Sequence, residues 1–271
     1  MGKFDGVLLA SDFDDTLCDG KTDVIPERSL ARLRRFMAEG GRFLIATGRA
    51  LEAFTPWADK VPMNAPAVLS NGSLIYDFST KEELEHVYLP EEAANDCAEL
   101  CRQFPELAFE AYCGDNIYVF RPNAVTEGHM KKVGCHYTAC TIEKMPRPWT
   151  KVIFQEDHEY LRTVQKEFLR QWGDRYECIF SSRYLLELTG KDTTKGTAVL
   201  KVAKVLGIDR KNIYCIGDNP NDLPMLNCAA IPFVPGNAPE MMRTAKGVHV
   251  VSPCAEGAVA DVVDALSEIY K

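Results

Sequence analysis

The chain has 271 residues, enough for one large domain or two modest ones. A hydrophobic fraction of 46% and a charged fraction of 26% are those of an ordinary globular protein with a buried core. A formal net charge of -8 and a pI near 5.3 exclude the basic face of a general nucleic-acid binder, although a bound metal and a few placed cations would still admit anionic substrates.

The first apolar run, Val7-Leu8-Leu9-Ala10, predicts a buried strand, and Ser11-Asp12-Phe13-Asp14-Asp15-Thr16-Leu17 leaves its C-terminal end. Asp12 and Asp14 are two apart, so an extended chain points both the same way. Like charges crowded in a crevice call for a cation, and oxygen donors favour Mg²⁺. A helix opens at Pro26-Glu27 with Leu30, Leu33 and Met37 on one face, and Gly40-Gly41 ends it. A second strand, Phe43-Leu44-Ile45-Ala46, runs into Thr47-Gly48-Arg49. A third, Ala67-Val68-Leu69-Ser70, meets the turn signal Asn71-Gly72 before a return strand at 74–76.

The alternation changes near His86. Helices at 91–104 and 158–172 are interleaved with strands at 108–112, 117–120, 151–155, 176–180 and 184–188. Several of these pair around tight turns and are therefore antiparallel. The aromatics Tyr112, Tyr118 and Tyr137 of this section read as core or hairpin residues. The first pattern returns after Gly190. Thr194 caps a helix over 195–206, Gly207 stops it, and the strand Ile213-Tyr214-Cys215-Ile216 ends in Gly217-Asp218-Asn219-Pro220-Asn221-Asp222. A short helix through Leu226, strands near 231–234 and 248–251, and a helix over 256–270 complete the chain.

The expected fold is therefore α/β: a doubly wound, Rossmann-like parallel sheet core from residues 1–86 and 190–271, with an α+β cap domain inserted at 87–189. Roughly 35 residues separate Asp12 from Thr47, too few for a domain, whereas roughly 150 separate Thr47 from Lys195. The ten cysteines are scattered, with no C-x-x-C pair and no zinc spacing. Reduced thiols, no signal peptide pattern and no apolar run of membrane length predict a cytoplasmic protein with no membrane partner.

Four chemistry-bearing segments converge on one edge of such a sheet: Asp12 and Asp14, Thr47, Lys195, and Asp218 with Asp222. Carboxylates, a hydroxyl, a lysine and glycine-flanked turns are what metal-assisted phosphoryl transfer to a carboxylate requires. Each position also has a plain structural reading. Lys195 could be a solvated helix-start lysine, Thr47 a helix cap, Arg49 an ion-pair member, and Asn71-Gly72, Asp218 and Asp222 simple turn residues.

In order along the chain, D-F-D-D-T-L at 12–17, A-T-G-R at 46–49, S-N-G at 70–72, T-K-G at 194–196 and G-D-N-P-N-D at 217–222 resemble the haloacid-dehalogenase-like superfamily. Within it the chain is similar to the Cof-type phosphatases, whose cap lies between the second and third motifs. The resemblance implies that Asp12 is a nucleophile forming an aspartyl-phosphate, and that Asp14 is the general acid and base. It implies that Thr47 and Lys195 hold the phosphoryl oxygens. Mg²⁺ would be bound by Asp12, the Asp14 backbone carbonyl and Asp218, with Asp222 orienting Lys195. Gly48, Arg49, Asn71 and Asn221 are candidate phosphate or substrate contacts. Asp15 stands where many Cof-type members have glycine. The implied activity is hydrolysis of small phosphate monoesters, sugar phosphates above all, by a protein whose partner is a small phosphorylated metabolite. A sugar phosphomutase and a non-catalytic binding module on the same fold are the alternatives. Oligomeric state is not legible.

Overall fold

The computed structural model describes residues 2–271. In chain order it contains β1 (Leu8–Ser11), α1 (Glu27–Ala38), β2 (Arg42–Ile45), α2 (Leu51–Ala58), β3 (Ala67–Leu69), β4 (Leu74–Asp77) and β5 (Glu82–His86). Then come α3 (Ala93–Gln103), β6 (Ala108–Cys113), β7 (Asn116–Phe120), α4 (Ala124–Val133), β8 (Thr138–Ala139), β9 (Lys151–Gln155), α5 (His158–Trp172), β10 (Tyr176–Ser182) and β11 (Leu185–Gly190). The chain continues with α6 (Lys195–Val205), β12 (Ile213–Ile216), α7 (Leu223–Leu226), β13 (Ile231–Pro235), α8 (Glu240–Arg243), β14 (His249–Val251) and α9 (Ala258–Ile269).

These elements form two compact units. One comprises the described residues through Gly48, Pro56–Leu84 and Thr194–Lys271; the other comprises Arg49–Thr55 and Glu85–Thr193. The first unit is built on a parallel sheet in the order β14-β13-β12-β1-β2. The central strand β1 has no exposed residue, as a strand buried on both faces must. A single parallel bridge between Ala46 and Val68 continues the pairing toward β3, which forms a second, antiparallel sheet with β4 and β5. Leu8, Ala10, Leu44, Cys215 and Val234 pack with Val199, Val202 and Ala203 of α6 into one core cluster. All ten cysteines are free, and seven are buried.

The second unit carries a six-stranded sheet, β10-β11-β9-β6-β7-β8, antiparallel except where β8 joins β7. Phe109, Val152, Phe154 and Leu188 pack with Cys97 and Leu100 of α3 and with Leu161 and Phe168 of α5. In β6 and β9 the residues between them, Glu110, Tyr112, Lys151 and Gln155, turn to the opposite face, as the two-residue pleat requires. All four are buried.

Several local expectations are corrected. The buried face of α1 is Ser29, Leu33 and Phe36; Leu30 and Met37 are only half-buried beside it. Helices α2 and α4 and strand β5 were not expected. Pro56 stands inside α2. The α4 sequence is weakly amphipathic and relies on its ends, with an Asn123–Thr126 capping box and a left-handed Gly134 cap. Strand β5 is charged and exposed over most of its length. Among the described residues, no helix is long and apolar enough to cross a membrane.

Candidate active site

The parallel register sets the geometry. Ser11 pairs with Ile45 on one side and Ile216 on the other, so three neighbouring strands end at one level. The Asp12 amide still donates to the Ile216 carbonyl at 2.9 Å. Asp12, Thr47 and Asp218 are the residues that emerge just past that level, and each is at least 95% buried. The Thr47 amide donates to Val68 O at 2.8 Å, which fixes the end of β2.

The chain turns sharply after Asp14. Leu17 N and Cys18 N both donate to Phe13 O, at 3.0 and 2.8 Å. Asp15 sits at φ 58°, in the left-handed region that glycine enters freely and aspartate tolerates. That is the physical reason glycine suits this position. Its carboxylate accepts from Gly20 N at 3.2 Å.

Helix α6 brings in Lys195. Thr194 caps it, accepting from Thr197 N at 3.1 Å while Thr194 N donates to Thr197 Oγ1 at 3.0 Å. Lys195 is 1% exposed, and its Nζ donates to Asp12 Oδ1 at 2.6 Å and Asp222 Oδ1 at 2.7 Å. The solvated-lysine alternative is therefore excluded. Gly196 allows the approach behind it, since a Cβ there would lie 2.2 Å from Pro224 O.

The 217–222 loop closes the opposite side. Asp222 Oδ2 accepts from the amides of Asp218 and Asn219, both at 3.0 Å, so its two oxygens face the lysine and the loop backbone. A Cβ at Gly217 would come within 2.4 Å of Asp222 Cγ, so only glycine fits. Asp218 is held by Thr16 Oγ1 at 3.2 Å and Asn219 Nδ2 at 2.8 Å.

The Ser70-Asn71-Gly72 turn is a run of three positive φ angles, 48°, 54° and 101°. Backbone held this way in non-glycine residues persists only where its surroundings fix it. Here Asn71 N donates to Thr47 O at 3.0 Å, and Asn221 Nδ2 donates to Asn71 Oδ1 at 3.1 Å. Asn221 Oδ1 is buried without a protein partner.

Charge dominates the site. Burial pushes the Asp12 carboxyl up to about 7; Lys195 pulls it back, and Asp222 and Asp14 add to the rise. Burial also pushes Asp218 well above the carboxylate range, and Asp12, Asp222 and Asp15 raise it further. Burial alone would lower the Lys195 pKa, but Asp12 and Asp222 outweigh it and raise it. One ammonium thus faces several carboxylates. Oxygens of Asp12, Asp218 and Asp222 lie within 4.8 Å of one another, all buried. Excess negative charge and oxygen-only donors fit a hard divalent cation. Asp222 is already committed to Lys195 and two amides, which leaves Asp12 and Asp218 as the carboxylates suited to hold it.

The structure gathers Asp12, Asp14, Thr47, Gly48, Asn71, Lys195, Asp218, Asn221 and Asp222 in the first unit. It assigns Arg49 to the second, where the side chain is buried and Nη1 donates to Ala53 O at 3.2 Å. Sequence reasoning missed Thr16 and Asn219, both lying inside quoted motifs but given no role. Their small polar side chains beside acidic residues were the available signal.

Comparison with known proteins agrees with this geometry. A family profile for haloacid dehalogenase-like hydrolases matches residues 9–263. YxeH of Bacillus subtilis (strain 168) is 27% identical over 250 residues, spanning 88% of this chain and 90% of that protein. The HMP-PP phosphatase of Serratia proteamaculans (strain 568) is 26% identical over 265 residues, spanning 93% of this chain and 92% of that protein. The solved structure of a HAD subclass IIB sugar phosphatase superposes with a TM-score of 0.83 at 21% identity, covering 96% of this chain and 99% of that one. With a parallel sheet whose strand ends carry these carboxylates, and a family match over nearly its whole length, the chain belongs to the haloacid dehalogenase-like hydrolases, among their Cof-type phosphatases.

Proposed function

We propose that the protein is a Mg²⁺-dependent phosphatase of small phosphate monoesters, sugar phosphates among them, working through an aspartyl-phosphate on Asp12. The observation that carries the reading is the buried Lys195 ammonium, 2.6 Å from Asp12 Oδ1 and anchored from behind by Asp222. A fixed cation at that point neutralises equatorial phosphoryl oxygens as the nucleophile approaches. Curated relatives named for HMP-PP and, in Escherichia coli (strain K12), for pyridoxal phosphate support a small phosphorylated metabolite as substrate.

In this reading an Asp12 carboxylate oxygen attacks phosphorus and the ester oxygen leaves. Asp14 gives the departing alcohol its proton, then takes one from the water that attacks the acyl phosphate, releasing inorganic phosphate and restoring Asp12. Thr47 and Lys195 hold the phosphoryl oxygens, and Asn71 and Asn221 line the same strand-end cluster. Asp12, the Asp14 carbonyl and Asp218 would hold Mg²⁺, which when bound would supply Lewis-acid neutralisation of two anions that otherwise repel. The residues 87–189 act as the substrate-selecting cap, working in the cytoplasm.

The test is a panel of phosphate esters assayed for phosphate release. Release is expected with Mg²⁺, is lost in EDTA, and falls by several decades in Asp12→Asn. Undiminished release in metal-free buffer refutes the metal. Turnover of Asp12→Asn within tenfold of wild type refutes the nucleophile.

A further inference from the structure

Asn237 follows β13, in the segment Pro235-Gly236-Asn237-Ala238, to which sequence reasoning gave no role. Its side chain is used at both ends. Nδ2 donates to the Asp15 carbonyl at 2.8 Å, and Oδ1 accepts from the Cys254 amide at 2.7 Å. One amide group, 222 residues from Asp15, therefore ties the turn after Asp14 to the segment preceding α9.

The turn it holds is the least regular part of the acidic loop. Asp15 is a non-glycine residue at φ 58°. Its amide donates to Cys18 O at 2.8 Å, and its carboxylate accepts from Gly20 N at 3.2 Å. Both of those bonds lie within the loop itself. Among the hydrogen bonds described for Asp15, the one from Asn237 ties it to a distant part of the chain. The peptide it fixes joins Asp15 to Thr16, whose hydroxyl bonds Asp218 at 3.2 Å. The preceding residue is Asp14, whose other neighbour, Phe13, follows the sheet-bound Asp12. Asp14 is thus set from one side by β1 and from the other by Asn237.

We propose that Asn237 is a positioning residue: it holds the Asp15 carbonyl so that Asp14 keeps its aim at the reacting phosphoryl group and Thr16 keeps its bond to Asp218. The proposal rests on the phosphatase reading and on the role given there to Asp14. Asn237 lies at the surface, so its bonds compete with water and the effect is graded rather than absolute.

The isosteric variant Asn237→Asp discriminates best. It keeps an acceptor for Cys254 N but turns an acceptor oxygen toward Asp15 O. Asn237→Ala removes both links. The full chain with Mg²⁺ is assayed on the best ester of the panel, alongside amide hydrogen exchange. Both variants should lower kcat roughly tenfold with KM nearly unchanged, and the limb of the kcat–pH profile set by the general acid and base should shift. Exchange of the Asp15 and Cys18 amides should quicken while that of Leu8–Ser11 does not. Asn237→Gln, which retains both donor and acceptor, should recover part of kcat. Wild-type kcat and an unshifted profile in Asn237→Asp overturn the proposal and leave the phosphatase reading standing. So does a loss of kcat accompanied by faster exchange throughout β1 and β12, which marks general destabilisation. No phosphate release from the wild type on any ester overturns both.

Discussion

Lys195 and Asp222 stand 27 residues apart in sequence and 2.7 Å apart in space, both with side chains 1% exposed. Asp222 is the only one of the clustered carboxylates among the described residues whose oxygens bond both the lysine and two loop amides. Whichever way an asparagine is turned at 222, its NH₂ group meets either the ammonium or the amides of Asp218 and Asn219. Asp222→Asn should therefore lower kcat by about a hundredfold and destabilise the fold by about 3 kcal/mol, as breaking a buried pair does. Steady-state kinetics with urea unfolding measures both.

Gly72 offers a cleaner backbone test. Its φ is 101°, and a Cβ would fall 2.3 Å from Thr194 O. Gly72→Ala meets left-handed strain and a backbone clash at once, and should cost at least ~2 kcal/mol. It should also displace the start of α6, so kcat falls with stability. Gly6, at φ 77° with nothing within 4 Å of its Cβ, provides the control. Gly6→Ala should cost about 1 kcal/mol and leave kcat alone.

In the second unit, Lys151 Nζ donates to Glu187 Oε2 at 2.9 Å, with side chains 3% and 7% exposed. Burial alone would raise the Glu187 carboxyl, but the Lys151 ammonium, with a smaller contribution from His129, outweighs it and holds it below its usual range. Lys151→Met leaves a buried carboxylate without its cation and should destabilise by about 3–5 kcal/mol. The double variant Lys151→Met/Glu187→Leu should recover most of that loss, since a well-packed apolar pair often equals a buried ion pair. Denaturant unfolding of the three proteins checks it. A double variant no more stable than the single one would contradict the argument.

Asp261 gives a pH dependence. Burial alone would raise its pKa, but bonds from Ser252 and the Arg28 guanidinium, 2.5 Å away, outweigh it and bring it below 3.8. The folded value is depressed, so the stabilisation is complete above the unfolded pKa and is lost as pH falls through the folded one. Asp261→Asn should cost about 1 kcal/mol near pH 7. Its deficit should shrink toward zero as both proteins are taken below pH 3.8 into acid. Thermal unfolding across that range measures it.

What the sequence showed and what it hid have separable causes. The strands β1, β2 and β12 were legible because each is an apolar run broken by a polar turn, and the site residues sit in those breaks. Lys195 was legible only through its motif, because nothing local says that a lysine at a helix start will be buried by carboxylates 183 and 27 residues away. α2 was hidden by Pro56, α4 by its weak apolar face, and β5 by a charged sequence that pairs through its backbone. Asn237 was invisible for another reason. Its function lies in two bonds to backbone atoms, and backbone partners leave no pattern in the side chains they serve.

The placement of β1 between β2 and β12 also orders events in time. When the chain is synthesised, β1 and β2 emerge early, yet the second neighbour of β1 begins only at Ile213. At roughly 5–20 residues per second, the growing chain carries a central strand that can pair on one side only for roughly 10–40 s. The six-stranded sheet of the second unit is complete by Gly190, before β12 exists. Its strands pair only with one another, so nothing in its sheet waits for the C-terminal third. The nascent protein thus passes through a stage in which the inserted sheet can be finished while the first sheet still presents one open edge at β1, the strand that leads into Asp12. Chaperone capture and aggregation during synthesis should therefore centre on residues 7–12, and truncations ending between Gly190 and Ile213 should be the most prone to both.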